Sequence, residues 1–276
     1  MEHLQILFEN IDEVKKEMLV SLLSDAGFTG FEEEAKILKA FIPFASFDKM
    51  MFDNIILITN TKYSESFIKE TNWNEKWESN FDPVMVYHPN TNEPFVFIRA
   101  NFHRPDALFL YDISITPKMS FGTGHHATTH LMVAHMSEID FKNKSVIDFG
   151  TGTGVLAILA EKLGATKILG IDNDDWSINN ANENIKVNAC KNVILVKAET
   201  VITESPAQII LANINLNIIN ENISAIVNAA ERNADFLFSG IMIHDQKQII
   251  SILEKAGLSI KISERKDGWL LLHARS

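Results

Sequence analysis

From residue 145 onward the chain alternates short, almost wholly apolar runs with longer segments of helical period. The apolar runs are SVIDFG (145–150), KILGID (167–172), VILVKA (193–198), AQIILANI (207–214) and ADFLFSGIM (234–242). Between and after them lie GVLAILAEKLG (154–164), DWSINNANENIKVN (175–188), NIINENISAIVNAAE (217–231) and DQKQIISILEKAG (245–257). A strand that is apolar at consecutive positions must be covered on both faces, and strands linked through helices run parallel. This alternation predicts an α/β fold: a doubly wound, mostly parallel sheet with helices on either side. The last two runs, LSIKISE (258–264) and WLLLHAR (269–275), are separated only by RKDG and predict an antiparallel C-terminal hairpin.

In such a sheet ligands bind beyond the carboxyl ends of the strands, where the first strand turns into its helix. That turn here is Asp148-Phe149-Gly150-Thr151-Gly152-Thr153-Gly154. It has the form G-x-G-x-G, with Val155 where a dinucleotide loop would carry its third glycine. Asp172 closes the second strand 22 residues after Gly150, the spacing expected of a carboxylate that accepts ribose hydroxyls. Asp148 would repel a pyrophosphate and suits a cation, such as a sulfonium with its α-amine. The loop therefore favours S-adenosylmethionine over a nicotinamide dinucleotide.

The first 61 residues read differently. HLQILF (3–8) predicts a strand, and residues 12–26 a helix with Asp12 as N-cap and Gly27 at its end. Further strand and helix character up to Ile58 makes residues 1–61 a small α+β domain. Residues 62–80 are polar, with Trp73 and Trp77 one turn apart, and predict a linker helix. Residues 81–276 then form the second domain, whose early strand-like runs are 84–88, 95–99 and 108–116.

The formal net charge is −11, which argues against direct binding of a nucleic-acid backbone and suits a basic partner. The start of the chain is acidic where a secretory signal would be basic and then apolar, and no run reaches the roughly 18 apolar residues of a membrane span. The one cysteine, Cys190, cannot form an internal disulfide and lacks a base partner in sequence. Together these features predict a cytoplasmic protein without a membrane partner; a monomer is expected, although none of these features bears on oligomeric state.

Upstream of the Gly-rich loop stands Phe121-Gly122-Thr123-Gly124-His125-His126-Ala127-Thr128-Thr129. It resembles the F-G-T-G-x-H-x-T-T signature of PrmA-type methyltransferases, which modify large-subunit ribosomal protein L11. The resemblance extends through Trp73 and Trp77, D-F-G-x-G-x-G, G-I-D at 170–172, A-N-I at 212–214 and S-G-I at 239–241. It implies an N-terminal substrate-recognition domain, a linker and a Rossmann-like methyltransferase domain. The implied donor is S-adenosylmethionine, and the implied acceptors are lysine side chains and the N-terminal α-amine of L11.

On this resemblance the cofactor-contacting positions are Thr129, Gly150, Asp172 and Asn213, with Asn213 also beside the transferred methyl. Thr129 would offer a hydroxyl from a covering helix, and Gly150 would let the loop approach the ligand. No metal is expected, although His125, His126 and His130 lie close in sequence. Methyl transfer is an in-line displacement that rests mainly on alignment. Phe121 is then the expected wall of the acceptor pocket and Asn213 its hydrogen-bond acceptor, with His126 the first alternative as a base. Asn215-Leu216-Asn217 departs from the family pattern, where small residues and Pro are usual, and borders the acceptor side.

Overall fold

The computed structural model describes residues 2–69, 81–118 and 120–276, and these separate into two compact units, Met1–Lys76 and Trp77–Ser276.

The first unit contains β1 (Glu2–Glu9), α1 (Glu13–Asp25), β2 (Gly30–Glu34), β3 (Ile37–Pro43), α2 (Lys49–Thr59) and β4 (Tyr63–Lys69). Its sheet runs β2-β3-β1-β4 with every pair antiparallel, a split β-α-β arrangement. Asp12 caps α1 as expected, accepting the Lys15 amide at 2.8 Å. Alternate residues of β1 and β3, among them Ile6, Phe8, Leu38 and Ile42, are buried with Leu19 and Leu23 of α1 and Phe52 of α2.

The linker helix expected over 62–80 needs correction, because residues 63–69 are a strand that extends the first sheet. Tyr63 packs against Phe8 and Phe52, with ring centroids 6.5 and 4.9 Å apart. The polar composition that suggested a helix belongs to the exposed positions of an edge strand, where charge discourages further pairing. The first unit therefore runs past Thr61. Trp73 and Trp77 lie outside the described residues.

The second unit opens with β5 (Val84–Tyr87), β6 (Pro94–Ala100) and β7 (Tyr111–Ile115). β5 and β6 pair antiparallel, β6 and β7 parallel. β7 is shorter than the run 108–116 suggested, for Leu108 and Leu110 are exposed outside it. Then follow α3 (Ala127–His135), β8 (Ser145–Phe149), α4 (Val155–Lys162), β9 (Lys167–Asp172), α5 (Asp175–Val187) and β10 (Val193–Lys197). The unit closes with β11 (Ala207–Asn213), α6 (Leu216–Asn228), β12 (Ala230–Met242), α7 (Gln246–Lys255), β13 (Ser259–Lys266) and β14 (Trp269–Arg275).

The main sheet has the order β10-β9-β8-β11-β12-β14-β13. All its pairs are parallel except β12 with β14 and β14 with β13. The predicted hairpin is present, and β14 inserts between β12 and β13. Successive residues of a strand feed opposite layers: Val146, Ile209 and Leu211 pack on one side, Ile147, Ile210 and Ala212 on the other. That division accounts for strands without polar alternation. Strand order reverses between β8 and β11, so their carboxyl ends diverge and leave a crevice.

Asparagines at i, i+4 spacing, Asn184 on α5 and Asn188 at its C-cap, hold β7 in place. Asn184 Oδ1 accepts the Thr116 amide at 2.7 Å, and its Nδ2 donates to the Thr153 carbonyl at 2.8 Å. Asn188 accepts the Ser114 amide and donates to the Ser114 carbonyl. These side chains satisfy backbone groups that would otherwise be buried unpaired.

Candidate active site

A cleft of about 270 Å³ opens at the crevice, bounded by Phe149, Gly150 and Gly152 of the loop after β8, Asp172 and Asn173 after β9, and Asn213, Ile214 and Asn215 after β11. Phe121, Ser177, Ala198, Glu199 and Ile218 complete its wall.

The loop is set by its backbone partners. Gly150 and Thr151 amides both donate to the Ile171 carbonyl, at 2.8 and 2.9 Å. The Gly152 amide donates to Asp172 Oδ2 at 2.9 Å, and the Asp174 amide to Oδ1 at 3.1 Å. Asp172 thus ties the loop to the end of β9 and also lines the cleft. Gly150 has φ +79°, and a Cβ there would stand 2.2 Å from Ile214 Cγ2. Its glycine is therefore demanded by the neighbouring strand end, a reason beyond the ligand approach expected from sequence.

The two sequence motifs interlock. Thr153 donates its amide to the Phe121 carbonyl at 2.9 Å and its hydroxyl to the Gly122 carbonyl at 2.7 Å. A Cβ on Gly152 would meet the Phe121 oxygen at 2.3 Å. The F-G-T-G segment and the Gly-rich loop are consequently one structural unit, although 31 residues separate Gly122 from Thr153.

Asn213 and Thr129 are both buried and meet directly: Asn213 Nδ2 donates to Thr129 Oγ1 at 3.3 Å. Asn213 Oδ1 is buried without a partner. Of the four sequence-predicted residues, Gly150, Asp172 and Asn213 line the cleft, while Thr129 stands behind Asn213 in the first turn of α3. Such an orphaned amide oxygen at a cleft wall costs free energy unless a ligand donor meets it.

Asp148 is wholly buried beneath the loop and does not reach the cleft. Its Oδ2 accepts the Thr151 hydroxyl at 2.7 Å. Burial pushes the carboxyl up to about 7, against the lowering effect of the Thr151 hydrogen bond. Its attraction for a cation thus acts through the field, and only in the fraction that is ionised.

The three neighbouring histidines, two in the signature and His130 just after it, turn to different partners. His125 packs edge-on to Phe81 at 4.8 Å, and His126 lies between Phe121 (5.1 Å) and Trp269 (4.7 Å). His126 caps α3, its Nδ1 accepting the Thr128 amide at 3.4 Å. Burial lowers His130 from its ordinary value, helped by Lys266 nearby. Cys190 is half-buried, and burial pushes its thiol up to about 11, away from nucleophilic use.

Sequence reasoning did not single out Asn173, Ser177, Ala198 or Glu199. The available signal was positional: Asn173 directly follows β9, and Ala198 and Glu199 follow β10, at the same strand ends that supplied Gly150, Asp172 and Asn213.

Comparison with known proteins agrees with this architecture. A family model described as "Ribosomal protein L11 methyltransferase (PrmA)" matches residues 11–276. The chain is 33% identical over 269 residues to the ribosomal protein L11 methyltransferase of Porphyromonas gingivalis, covering 94% of this chain and 90% of the relative. It is 36% identical over 280 residues to that of Chlorobaculum tepidum, covering 97% and 94%. A crystal structure of the ribosomal protein L11 methylase from Lactobacillus delbrueckii subsp. bulgaricus superposes with a TM-score of 0.61 and 28% identity, over 65% of this chain and 93% of that one. On the extent of these matches, the chain belongs to the ribosomal protein L11 methyltransferase (PrmA) family.

Proposed function

We propose that this chain transfers methyl groups from S-adenosylmethionine to amino groups of ribosomal protein L11, on lysine side chains and the N-terminal α-amine. The observation that carries the reading is the cleft at the strand-order reversal, lined together by Gly150, Asp172 and Asn213, the last with a buried, partnerless Oδ1. When bound, S-adenosylmethionine supplies an electrophilic methyl on a sulfonium. Asp172 offers carboxylate lone pairs for ribose hydroxyls, and the loop around Gly150 presents backbone with no side chain in the way. Thr129 acts through Asn213, fixing its amide so that Oδ1 faces the cleft.

Acceptor and methyl must be aligned, and the chain contributes position more than covalent chemistry. Phe121, about half exposed at the cleft wall, supplies an apolar surface that disfavours an ammonium and so favours the neutral amine. Asn213 Oδ1 can accept a hydrogen bond from that amine. Residues of the first unit recognise the protein substrate, since every described residue that lines the cleft lies in the second. The acidic surface suits a basic ribosomal protein and not a nucleic acid, and a cytoplasmic setting follows from that partner.

Mass spectrometry of large-subunit proteins incubated with the enzyme and donor tests the reading. Mass increments of whole methyl transfers are expected on L11 and absent with Asp172→Ala. Methylation of some other protein in place of L11 would overturn the substrate assignment.

A further inference from the structure

Outside the cleft, α3 ends in a chain of titratable side chains that crosses three strands. His135, on the last turn of α3 and wholly buried, places Nδ1 2.8 Å from Glu264 Oε1 on β13. Its Nε2 lies 3.2 Å from His273 Nδ1 on β14. His273 Nε2 in turn lies 2.9 Å from Asp235 Oδ1 on β12, and Arg275 grips both oxygens of Asp235 at 2.8 and 3.0 Å. The opposite end of the same helix carries Thr129, the partner of Asn213.

Counting protons decides how this chain can be complete. A carboxylate brings no proton, so the Glu264 and Asp235 gaps each need an imidazole N–H, and the gap between the rings needs a third. Two neutral imidazoles carry two protons. All three bonds therefore form only when the pair carries three, which makes one ring an imidazolium. Burial would raise the Asp235 carboxyl, but the hydrogen bonds from Arg275 and His273 outweigh it and hold it below its ordinary value. Burial lowers His273, against the pull of its Asp235 hydrogen bond. His135 sits at a helix C-terminus with Glu264 at 2.8 Å, so the positive charge that comes with the third proton meets a carboxylate and the partial negative end of the helix. One imidazolium and Arg275 then balance the two carboxylates.

The geometry points to a proton-counted clasp in which His135, through Glu264 and His273, seats α3 and so acts as a positioning residue for the donor-binding wall at Thr129 and Asn213. Loss of the third proton leaves a lone pair facing a lone pair in one gap. Gain of a fourth sets two N–H groups against each other between the rings. Donor affinity therefore passes through a maximum with pH, with both limbs belonging to the histidine pair as a unit. Among the described residues, the other titratable groups around α3 lie elsewhere: His130 faces Lys266 and Asp267 at the hairpin turn, and His88 pairs with Glu138 at 3.3 Å.

This inference rests on the donor-binding reading, and Glu264→Gln separates the two. A glutamine amide can donate to His135 Nδ1, so the clasp closes with only two protons on the rings. The probe is S-adenosylhomocysteine, titrated calorimetrically into the full-length enzyme from pH 5.5 to 9, a range about the ordinary His value. The ratio of variant to parent affinity cancels titration of the probe's own amine. Relative to the parent, E264Q is expected to bind at least about fivefold more tightly on the alkaline limb, the effect of one restored hydrogen bond. H273Q should lose affinity near the maximum. Nitrogen-15 NMR of labelled histidines, independent of any ligand, should show three ring protons on the pair at the pH of tightest binding. Two neutral rings at that pH, or a variant-to-parent ratio that is constant across the series, overturns the clasp. Three ring protons with no probe binding at any pH supports the clasp and overturns the donor site.

Discussion

Asn213 and Thr129, 84 residues apart, share a buried hydrogen bond of 3.3 Å that joins the end of β11 to the first turn of α3. It leaves Asn213 Oδ1 buried and unmatched, on a residue that lines the cleft. Thr129→Val keeps the shape and removes the oxygen, so Asn213 Nδ2 is left buried and unpaired. A loss of about 1–3 kcal/mol in stability is expected, together with weaker donor binding. Denaturant unfolding and calorimetry check both. Unchanged values would show that Asn213 is oriented by something other than Thr129.

Gly150→Ala should be strongly destabilising. A non-glycine residue at φ +79° costs about 1–3 kcal/mol, and the methyl driven into Ile214 about 1–3 more. Adding Ile214→Ala removes the collision and keeps the backbone strain. The double variant is therefore expected to unfold at higher denaturant than Gly150→Ala alone, although Ile214→Ala by itself lowers stability. A purely additive double-mutant cycle would refute the contact.

Asp148 makes stability depend on pH. Its carboxyl is raised from 3.8 to about 7 in the folded protein, so the folded state holds a proton that the unfolded state releases between those values. Its contribution is therefore present below pH ~4 and lost as pH rises through ~7. Asp148→Asn can still accept the Thr151 hydroxyl bond and does not ionise. Its stability relative to the parent should rise from pH 4 to pH 7 and level off above. A difference that is flat over that window would show that Asp148 stays ionised throughout.

A fragment beginning at Trp77 should retain donor binding and lose methylation of intact L11, because every described residue that lines the cleft lies in the second unit. Cutting at Ser64 would instead divide β4, which is paired to β1. Donor titration and mass spectrometry of the treated substrate separate the two activities. Full methylation by the fragment would remove the first unit from substrate recognition.

The sequence is legible where the signal is local. The apolar runs, the glycines of the loop, Asp172 at a strand end and Asp12 as a cap each depend on neighbours within one or two turns. It misleads at 63–69, where YSESFIK carries polar residues compatible with either period. Only the free edge of β1 decides for a strand there.

What the sequence by itself determined is the parallel α/β domain, its donor-type loop and the family, since apolar period and turn chemistry are written into consecutive residues. What only the tertiary structure decided is which residues meet. Strand order placed Asn213 next to Thr129, Phe121 on Thr153, Ile214 over Gly150, and His135 between Glu264 and His273. Those pairings follow from packing the whole sheet, because the free energy that selects them comes from burial shared among distant segments and not from any local propensity.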